Sequence, residues 1–385
     1  MASTLPILCL EEIFENLRDD LASLFSCVKL NRHWCKIAIK YLWCNPFRET
    51  TNGNILYSIK LMGLDDKKPL FPYFDYIREI NYPILLSITN DYWNSKMILE
   101  LIINRNNTRI IRLNIDQYKQ CQHDDNDFQY LEINWMKFFD LPAASNSLSQ
   151  LYSLTICNQN ANEILEAIDN RFCPNLISEL KIMIYPNRGD WDFDPRILEQ
   201  VAMDINRLNS WIELRRFTVQ FGNEIEEDAL FGSDNFLLKL ANCLPPVIMD
   251  SLCLAGPFAF SSENLETFFN ITKTSFIKIS LPRSTLIWDS VLEAFAKNTK
   301  GVLKELDIPL ASKISMDALS KAKLAIPYIN APVLKEDPSW ITNIFSDEEN
   351  DFDDYDFDYG EEQFDDENRG SWSDDNKDDF FGAWK

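Results

Sequence analysis

Few residues in this sequence have a spacing that suits catalysis or metal binding. Two histidines occur, and one of them, His123, lies beside Cys121, Asp124 and Asp125 in a polar segment. Imidazole, thiolate and carboxylate groups are the ligands that zinc prefers, but no second histidine lies nearby to complete a four-ligand site. We therefore predict no metal site. The other histidine, His33, is expected to occupy a surface or partly packed position in a helix.

Motifs for other chemistry are missing from the sequence. It contains no G-x-S-x-G motif, no P-loop and no dinucleotide glycine fingerprint. Carboxylates are abundant, but no spacing predicts that two of them face each other in a cleft. We predict no catalytic residue and no cofactor, and hence a binding protein rather than an enzyme. The enzyme alternative would require a deep polar pocket with converging acids.

The cysteine content and the net charge indicate the cellular compartment and the classes of partner to expect. The nine cysteines are odd in number and form no Cys-x-x-Cys pair, which favours free thiols in a reducing compartment. We therefore expect a cytoplasmic or nuclear protein. The net charge of −23 repels nucleic acid and lipid head groups, so neither is predicted as a partner. No apolar run of about 18 residues is present, and no membrane span is expected.

The C-terminal residues 346–385 carry most of the excess charge. They contain 17 acidic and three basic residues, and nine aromatic residues alternate with the acids. Repulsion between like charges opposes compaction, so this acidic tail is predicted to be disordered. One hypothesis is that the tail docks a basic, apolar-lined surface; the alternative is a solvated tail without a specific partner.

The first 45 residues contain three apolar stripes with helical spacing. Such stripes predict three short amphipathic helices, for which Asp20 and Asn31 are suitable N-caps of the second and third. Three helices of about ten residues bury too little surface to be stable alone, so the rest of the chain or a second protein must cover them. The stripes are formed by Leu10, Ile13, Phe14 and Leu17, then Leu21, Leu24, Phe25 and Val28, then Trp34, Ile37, Ala38 and Tyr41.

The same segment resembles an F-box. That family opens with Leu-Pro, continues with apolar helices, and ends with Asn-Arg-x-Trp followed by Leu-Trp. The residues that match are Leu5, Pro6, Leu10, Ile13, Phe14, Leu17, Leu24, Cys27, Val28, Asn31, Arg32, Trp34, Cys35, Leu42 and Trp43. One departure is Lys29, where many family members have an apolar residue.

The resemblance implies binding to a Skp-type linker protein and, through it, to a cullin scaffold of a ubiquitin ligase. It also implies that Trp34 and Trp43 pack inside the F-box and onto the following domain. Residues carried over to the linker-facing surface are Leu5, Pro6, Leu10, Ile13, Phe14, Leu17, Leu21 and Leu24.

From residue 109 onward, an apolar-x-x-apolar-x-apolar pattern recurs seven times, with helix-like segments between the copies. A short strand and a helix, repeated, bury their apolar faces only by stacking on neighbours. The spacing resembles irregular leucine-rich repeats, and an α/β domain with a parallel sheet is the rival fold. The central residues of the pattern are Leu113, Leu154, Leu180, Phe217, Leu252, Ile279 and Leu306.

These features predict an α+β or α/β solenoid protein. Its parts are an F-box domain (1–47), a helical junction (48–108), a leucine-rich-repeat-like domain (109–345) and the acidic tail (346–385). Strand residues between the core positions are expected to line a concave face that binds a protein target, which the sequence does not identify. These candidates are Arg112, Asn114, Asp116, Lys181, Arg216, Thr218, Gln220, Lys278, Ser280 and Asp307.

Two functions fit these expectations. In the first, the chain is the substrate-receptor subunit of a Skp–cullin–F-box ubiquitin ligase and acts by holding a target close to the transfer machinery. In the second, it is a scaffold that uses the F-box for assembly without turnover of a target.

Overall fold

The structure is a computed structural model of the whole chain. The chain divides into two units, Met1–Lys335 and Glu336–Lys385, and every residue described here belongs to the first. The described residues are 5–47, 73–89, 92–104, 107–116, 135–158, 161–171, 177–185, 196–205, 211–222, 231–232, 234–256, 258–282, 287–299, 301–308 and 314–331. The predicted acidic tail and the segment around His123 lie outside them.

Of the three N-terminal helices, the second and third begin where the sequence predicts. The three helices are α1 (Ile7–Asn16), α2 (Leu21–Leu30) and α3 (Arg32–Leu42). The Asp20 side chain accepts the backbone N–H of Ser23, and the Asn31 side chain accepts those of His33 and Trp34. Both predicted N-caps are confirmed, because each satisfies backbone donors that the first helical turn leaves unpaired.

The remaining helices follow in chain order. They are α4 (Tyr73–Tyr76), α5 (Tyr82–Thr89), α6 (Tyr92–Ile103), α7 (Trp135–Phe139), α8 (Ala144–Ser147), α9 (Ala161–Arg171), α10 (Arg196–Asp204), α11 (Asp234–Cys243), α12 (Ser262–Ile271), α13 (Asp289–Asn298) and α14 (Met316–Lys323). From α9 to α14, each helix packs against the next one in the chain. No helix in the described part of the chain is both long and apolar enough to cross a membrane.

The strands form one large sheet and one small one. They are β1 (Glu79–Asn81), β2 (Arg112–Asn114), β3 (Ser153–Cys157), β4 (Glu179–Ile184), β5 (Arg216–Phe221), β6 (Phe231–Gly232), β7 (Ile248–Ala255), β8 (Phe258–Ala259), β9 (Ser275–Ser280), β10 (Glu305–Asp307) and β11 (Tyr328–Asn330). Strands β6 and β8 pair with each other. The other nine form a parallel sheet in chain order, from β1 at one edge to β11 at the other.

The apolar pattern predicted from the sequence forms the core of this sheet. All residues of the seven copies are buried, and the seven central residues align in register on adjacent strands, from Leu113 on β2 to Leu306 on β10. Side chains alternate between the two faces of a strand, so this register places every copy on one face. The coarser prediction, an α/β arrangement of alternating strands and helices, is confirmed, and the large sheet is parallel.

Two strands lie outside the seven predicted copies, and they form the two edges of the sheet. Ile80 on β1 and Ile329 on β11 extend the core row at its two ends. Both strands carry the same spacing, as Ile77-x-x-Ile80 and Ile326-x-x-Ile329.

Candidate docking surfaces

The three N-terminal helices enclose a core of their own. Leu10, Phe14 and Leu24 are fully buried in it. The Trp34 ring meets the Phe14 ring edge-on, with centroids 5.5 Å apart, a geometry that aromatic pairs favour. This cluster is separate from the core of the sheet, and Trp43 packs against both.

The first turn of α1 is apolar and exposed. Five consecutive residues, Leu5–Cys9, are exposed, and Leu8 is 78% exposed. Isolated exposed leucines are common on protein surfaces, but an exposed run of this length is unusual unless another molecule covers it. We call residues 5–9 the α1 end.

The structure divides the eight predicted linker-facing residues into three groups. Leu5, Pro6 and Ile13 are exposed, and Leu17 and Leu21 are half-buried at the margin of the helical core. Leu10, Phe14 and Leu24 are 0% exposed. These three support the surface from inside and do not contribute to it in this conformation, because helical spacing places one stripe of each helix toward its own neighbours. The sequence stripes did not distinguish the two roles, and the predicted contact set omitted the exposed Ile7 and Leu8.

A ladder of backbone hydrogen bonds joins the helices to the sheet. The Cys44 carbonyl oxygen accepts the N–H groups of Arg78 at 2.8 Å and Glu79 at 3.0 Å. The Arg78 carbonyl oxygen accepts the N–H groups of Ile111 and Arg112 in the same way. This pairing of one carbonyl with two successive N–H groups repeats from strand to strand as far as Arg216. Cys44, two residues after α3, therefore forms the first step of the sheet ladder. Beside it, the Trp43 and Tyr73 rings lie with centroids 4.6 Å apart.

The ten residues predicted to bind a target lie on one face of the sheet. They form rows across the strands in register, and their side chains lie on the face opposite the core row. Arg112 and Arg216 are exposed, and the other eight are half-buried. The structure thus brings together residues that are up to 195 positions apart in the sequence, from Arg112 to Asp307. We call this surface the polar face.

Charges on the polar face are arranged in opposite pairs. Glu79 is opposite Arg112, Glu179 is opposite Arg216, and Lys278 is opposite Glu305. Ion pairs join the side chains in each case, and Lys278 Nζ also lies 2.8 Å from Asp307 Oδ2. Pairs of this kind stabilise neighbouring strands modestly and leave the face nearly neutral, although the whole chain is strongly acidic.

Lys181 lies between these ion-pair clusters. It is half-buried on β4, and no ion pair of its ammonium group is found among the described residues. Its side chain lines a shallow cleft together with Thr155 on β3 and Thr218 on β5. The cleft is also lined by Ser153 and by the Glu179–Arg216 ion pair, and the Lys181 ammonium group and the hydroxyls can hydrogen-bond to an acceptor group of a bound chain.

Asp116 forms a short hydrogen bond with Tyr185 on this face. It follows β2, and its Oδ2 accepts the hydroxyl of Tyr185 at 2.6 Å. Asn158 completes the cluster by accepting the Tyr185 backbone N–H at 3.1 Å. Burial raises the pKa of Asp116, against the opposing effects of the Tyr185 hydrogen bond and the Lys181 charge. Burial and the contact with Asp116 raise the pKa of Tyr185. The sequence patterns gave no signal for this pair, because its members are 69 residues apart.

Among the described residues, no group of three or more histidine, cysteine, aspartate or glutamate side chains is arranged to hold a metal ion. His33 is half-buried at the start of α3, where its backbone N–H donates to Asn31.

No protein-family model matches the chain, and no curated protein is significantly similar to it.

Proposed function

We propose that this protein is the substrate-receptor subunit of a Skp–cullin–F-box ubiquitin ligase. The observation that carries the proposal is the α1 end, where five consecutive apolar residues are exposed. They belong to the three N-terminal helices α1–α3, here called the trio, which already enclose a core of their own. When a second apolar surface covers such a surface, the free energy of the complex falls by about 25 cal/mol for each Å² of apolar surface removed from water. In the proposal, a Skp-type linker protein supplies that surface.

The N-terminal trio is assigned to the F-box family on its residues and its helices. Leu5 and Pro6 precede α1, Asn31 caps α3, and Leu42 and Trp43 end the trio. Under this assignment, the exposed residues Leu5, Pro6, Ile7, Leu8 and Ile13 make the direct contacts. Leu10, Phe14 and Leu24 keep the helices in position beneath them.

The rest of the described chain is proposed to be a leucine-rich-repeat-like solenoid. Its support is the strand order, in which every strand pairs with its predecessor in the large sheet, together with helices that pack in the same order. In a doubly wound α/β sheet, the strand order reverses at a switch point. Local stacking in one direction is typical of repeat proteins.

The polar face is the proposed target site. It is broad, carries hydrogen-bonding side chains on successive strands, and has its charges paired internally. A target is then recognised mainly by shape and hydrogen bonds, with a small contribution from overall charge. The ladder that begins at Cys44 holds the trio against the sheet, so the distance from linker to target varies little. This suits a receptor that acts by proximity.

The test of linker binding uses residues whose substitution leaves the fold intact. Ile7→Asp/Leu8→Asp in the full chain places two charges on the exposed α1 end, and we expect affinity for a purified Skp-type linker to fall by about 30-fold or more, as for hot-spot residues. Leu324→Asp is the matched control, because Leu324 is an exposed leucine outside the trio. Unchanged linker binding by the double variant would refute the proposal.

Target turnover separates the receptor from the scaffold alternative. Proteins that bind the full chain but not a variant with a substituted polar face, Lys181→Glu/Arg216→Glu, are candidate targets. A receptor shortens the half-life of such a target in cells, and the Ile7→Asp/Leu8→Asp variant does not. A scaffold leaves the half-life unchanged in both cases.

A further inference from the structure

A cleft opens where the trio meets the large sheet. Its volume is about 380 Å³, which lies within the range of small-molecule sites. One wall is formed by residues of the trio and α4, and the other by residues at the start of β1, β2 and β3. We call it the junction cleft.

Four cations line the junction cleft, although the net charge of the whole chain is −23. The carboxylates in the lining are those of Glu15 and Glu79. Four cations against two carboxylates leave a formal excess of two positive charges. The cations are Arg18 between α1 and α2, Lys40 on α3, Arg78 before β1 and Arg112 on β2.

The carboxylates of the cleft are shared or exposed. Glu79 Oε1 contacts the guanidinium of Arg18 and also lies 3.5 Å from Nη1 of Arg112, so one carboxylate serves two cations. Glu15 lies 3.5 Å from Arg18, but its side chain is 59% exposed, and water screens such a pair. Positive charge in the cleft is therefore only partly compensated.

Arg78 has no carboxylate partner in the described part of the chain. Its Nη1 donates to the carbonyl oxygens of Asp75 at 2.7 Å and Ile77 at 2.9 Å, which use two of the five N–H groups of the guanidinium. The residue is half-buried. Burial lowers the pKa of Arg78, and Arg109 acts in the same direction, whereas Cys44 and Asp75 oppose them. A desolvated charge without an ion pair costs free energy, and a bound anion reduces that cost.

Attachment of the trio to the sheet explains part of this cluster. Arg18 and Arg112 lie on the two sides of the junction and share Glu79. Lys40 lies 3.8 Å from Glu11 inside the trio. Neither role accounts for Arg78, whose hydrogen bonds within the described residues go to carbonyl oxygens of its own segment.

We propose that the junction cleft binds a small molecule that carries a phosphate group. A phosphate monoester holds close to two negative charges at neutral pH and offers three acceptor oxygens, which suits guanidinium groups that belong to different elements. A carboxylate carries a single charge and is satisfied by one guanidinium fork. The charge of the distant parts of the chain is screened beyond about 8 Å in physiological salt, so the cations of the cleft dominate the interaction.

The bound phosphate bridges the trio and the sheet, because Arg18 belongs to the first and Arg78 and Arg112 to the second. The cleft lies near the C-terminal end of α1, and a helix of ten residues spans about 15 Å. The ligand therefore leaves the α1 end accessible and stabilises the ladder that begins at Cys44.

Isothermal titration calorimetry of the full chain tests the site with two probes, inorganic phosphate and ribose 5-phosphate. We expect phosphate to bind with a dissociation constant below about 1 mM. Binding of the ester that is about tenfold tighter would identify the ligand as an organic phosphate, and equal or weaker binding would identify it as phosphate itself. Citrate, which carries three carboxylates, is the control and should bind about tenfold more weakly than phosphate.

Arg78→Gln removes a guanidinium without breaking an ion pair, and it should weaken phosphate binding about tenfold or more. Arg215→Gln is the matched control, because Arg215 precedes β5 as Arg78 precedes β1, is also half-buried, and donates from Nη1 to the carbonyl oxygen of Ile248. Lys40→Gln is a second variant at an exposed position, where substitution leaves the fold intact, and it should weaken binding about threefold.

Hydrogen exchange measures the bridge between the trio and the sheet. The amides of Arg78 and Glu79 donate to the Cys44 carbonyl oxygen. Saturating phosphate should slow their exchange in the wild type and in Arg215→Gln, but not in Arg78→Gln, because a ligand bound across the junction opposes its opening.

Four outcomes would overturn the inference. The first is no detectable binding of millimolar phosphate by the wild type. Equal losses in Arg78→Gln and Arg215→Gln, or none in Arg78→Gln and Lys40→Gln, would place the phosphate elsewhere. Citrate binding as tight as that of phosphate would contradict a phosphate site. Unchanged exchange of the ladder amides while phosphate binds would contradict the bridge.

Discussion

The guanidinium of Arg18 binds the carboxylate of Glu79, which follows it by 61 residues. Arg18 lies between α1 and α2, whereas Glu79 begins β1, so the contact joins the helical trio to the sheet. Glu79 also accepts the Asn45 side-chain amide at 2.8 Å and lies 3.5 Å from Arg112. One partly buried carboxylate therefore contacts positive charges from both sides of the junction.

Removing that carboxylate is expected to weaken the junction. Glu79→Gln keeps the size of the side chain and removes its charge, and we expect the free energy of unfolding to fall by about 1–2 kcal/mol, since hydrogen bonds to charged groups contribute that order and partial exposure reduces it. Urea denaturation of the full chain measures the change. Glu179→Gln is the matched control, because among the described residues Glu179 forms its ion pair with Arg216, and that pair is more exposed. Equal losses in the two variants would contradict a special role for Glu79.

The core of the trio is expected to be sensitive to truncation, unlike its exposed end. Phe14 is fully buried against Trp34, and Phe14→Ala should lower the stability of the trio by about 3–5 kcal/mol through lost burial and a cavity. Leu8→Ala, on the exposed end, should change it by less than about 0.5 kcal/mol. Hydrogen exchange of the α1 and α3 amides measures both. Similar protection in the two variants would show that Phe14 does not support the trio.

The Asp116–Tyr185 pair predicts a specific dependence of stability on pH. Because the folded-state pKa of Asp116 is raised, the folded chain holds this proton more tightly than the unfolded chain. The resulting stabilisation is present at low pH and is lost as pH rises through the folded-state pKa. Asp116→Asn should therefore be at least as stable as the wild type at neutral pH, with the difference vanishing below the ordinary value of 3.8. Denaturant titrations across this range measure the effect, and a less stable Asn variant at neutral pH would refute it.

The control for that prediction removes the donor instead. Tyr185→Phe leaves the partly buried carboxylate without its hydroxyl partner and should cost about 1–3 kcal/mol at neutral pH. The loss should shrink in acid, where Asp116 carries its own proton.

Gly222 and Tyr185 are expected to be energetically coupled. A Cβ atom on Gly222 would lie 2.6 Å from the Tyr185 ring, closer than carbon atoms approach, so Gly222→Ala should destabilise the chain by about 1–3 kcal/mol through overpacking. In a Tyr185→Ala background the ring is gone, and the same substitution should have little further effect. A double-mutant cycle in urea measures the coupling. Additive effects would mean that the ring moves aside without cost.

The regular elements were predictable because their signals are local. Strand alternation and helical spacing depend on residues within a few positions of each other, and they identified seven strands and the buried core row from Leu113 to Leu306. Asp20 and Asn31 were identified as caps for the same reason. Ile80 and Ile329 carry the same spacing. Each lies on a strand at an edge of the sheet, which pairs with one neighbouring strand of the sheet.

By itself, the sequence determined the periodicities, and through them the alternation of strands and helices and the side of each strand that faces the core. The tertiary structure decided which apolar residues remain exposed, so that Leu8 and Leu324 are accessible whereas Phe14 is enclosed. It also decided that Asp116 meets Tyr185 and that Glu79 meets Arg18. The physical reason is that burial and pairing depend on which distant segments pack together, and a pattern of neighbouring residues does not contain that information.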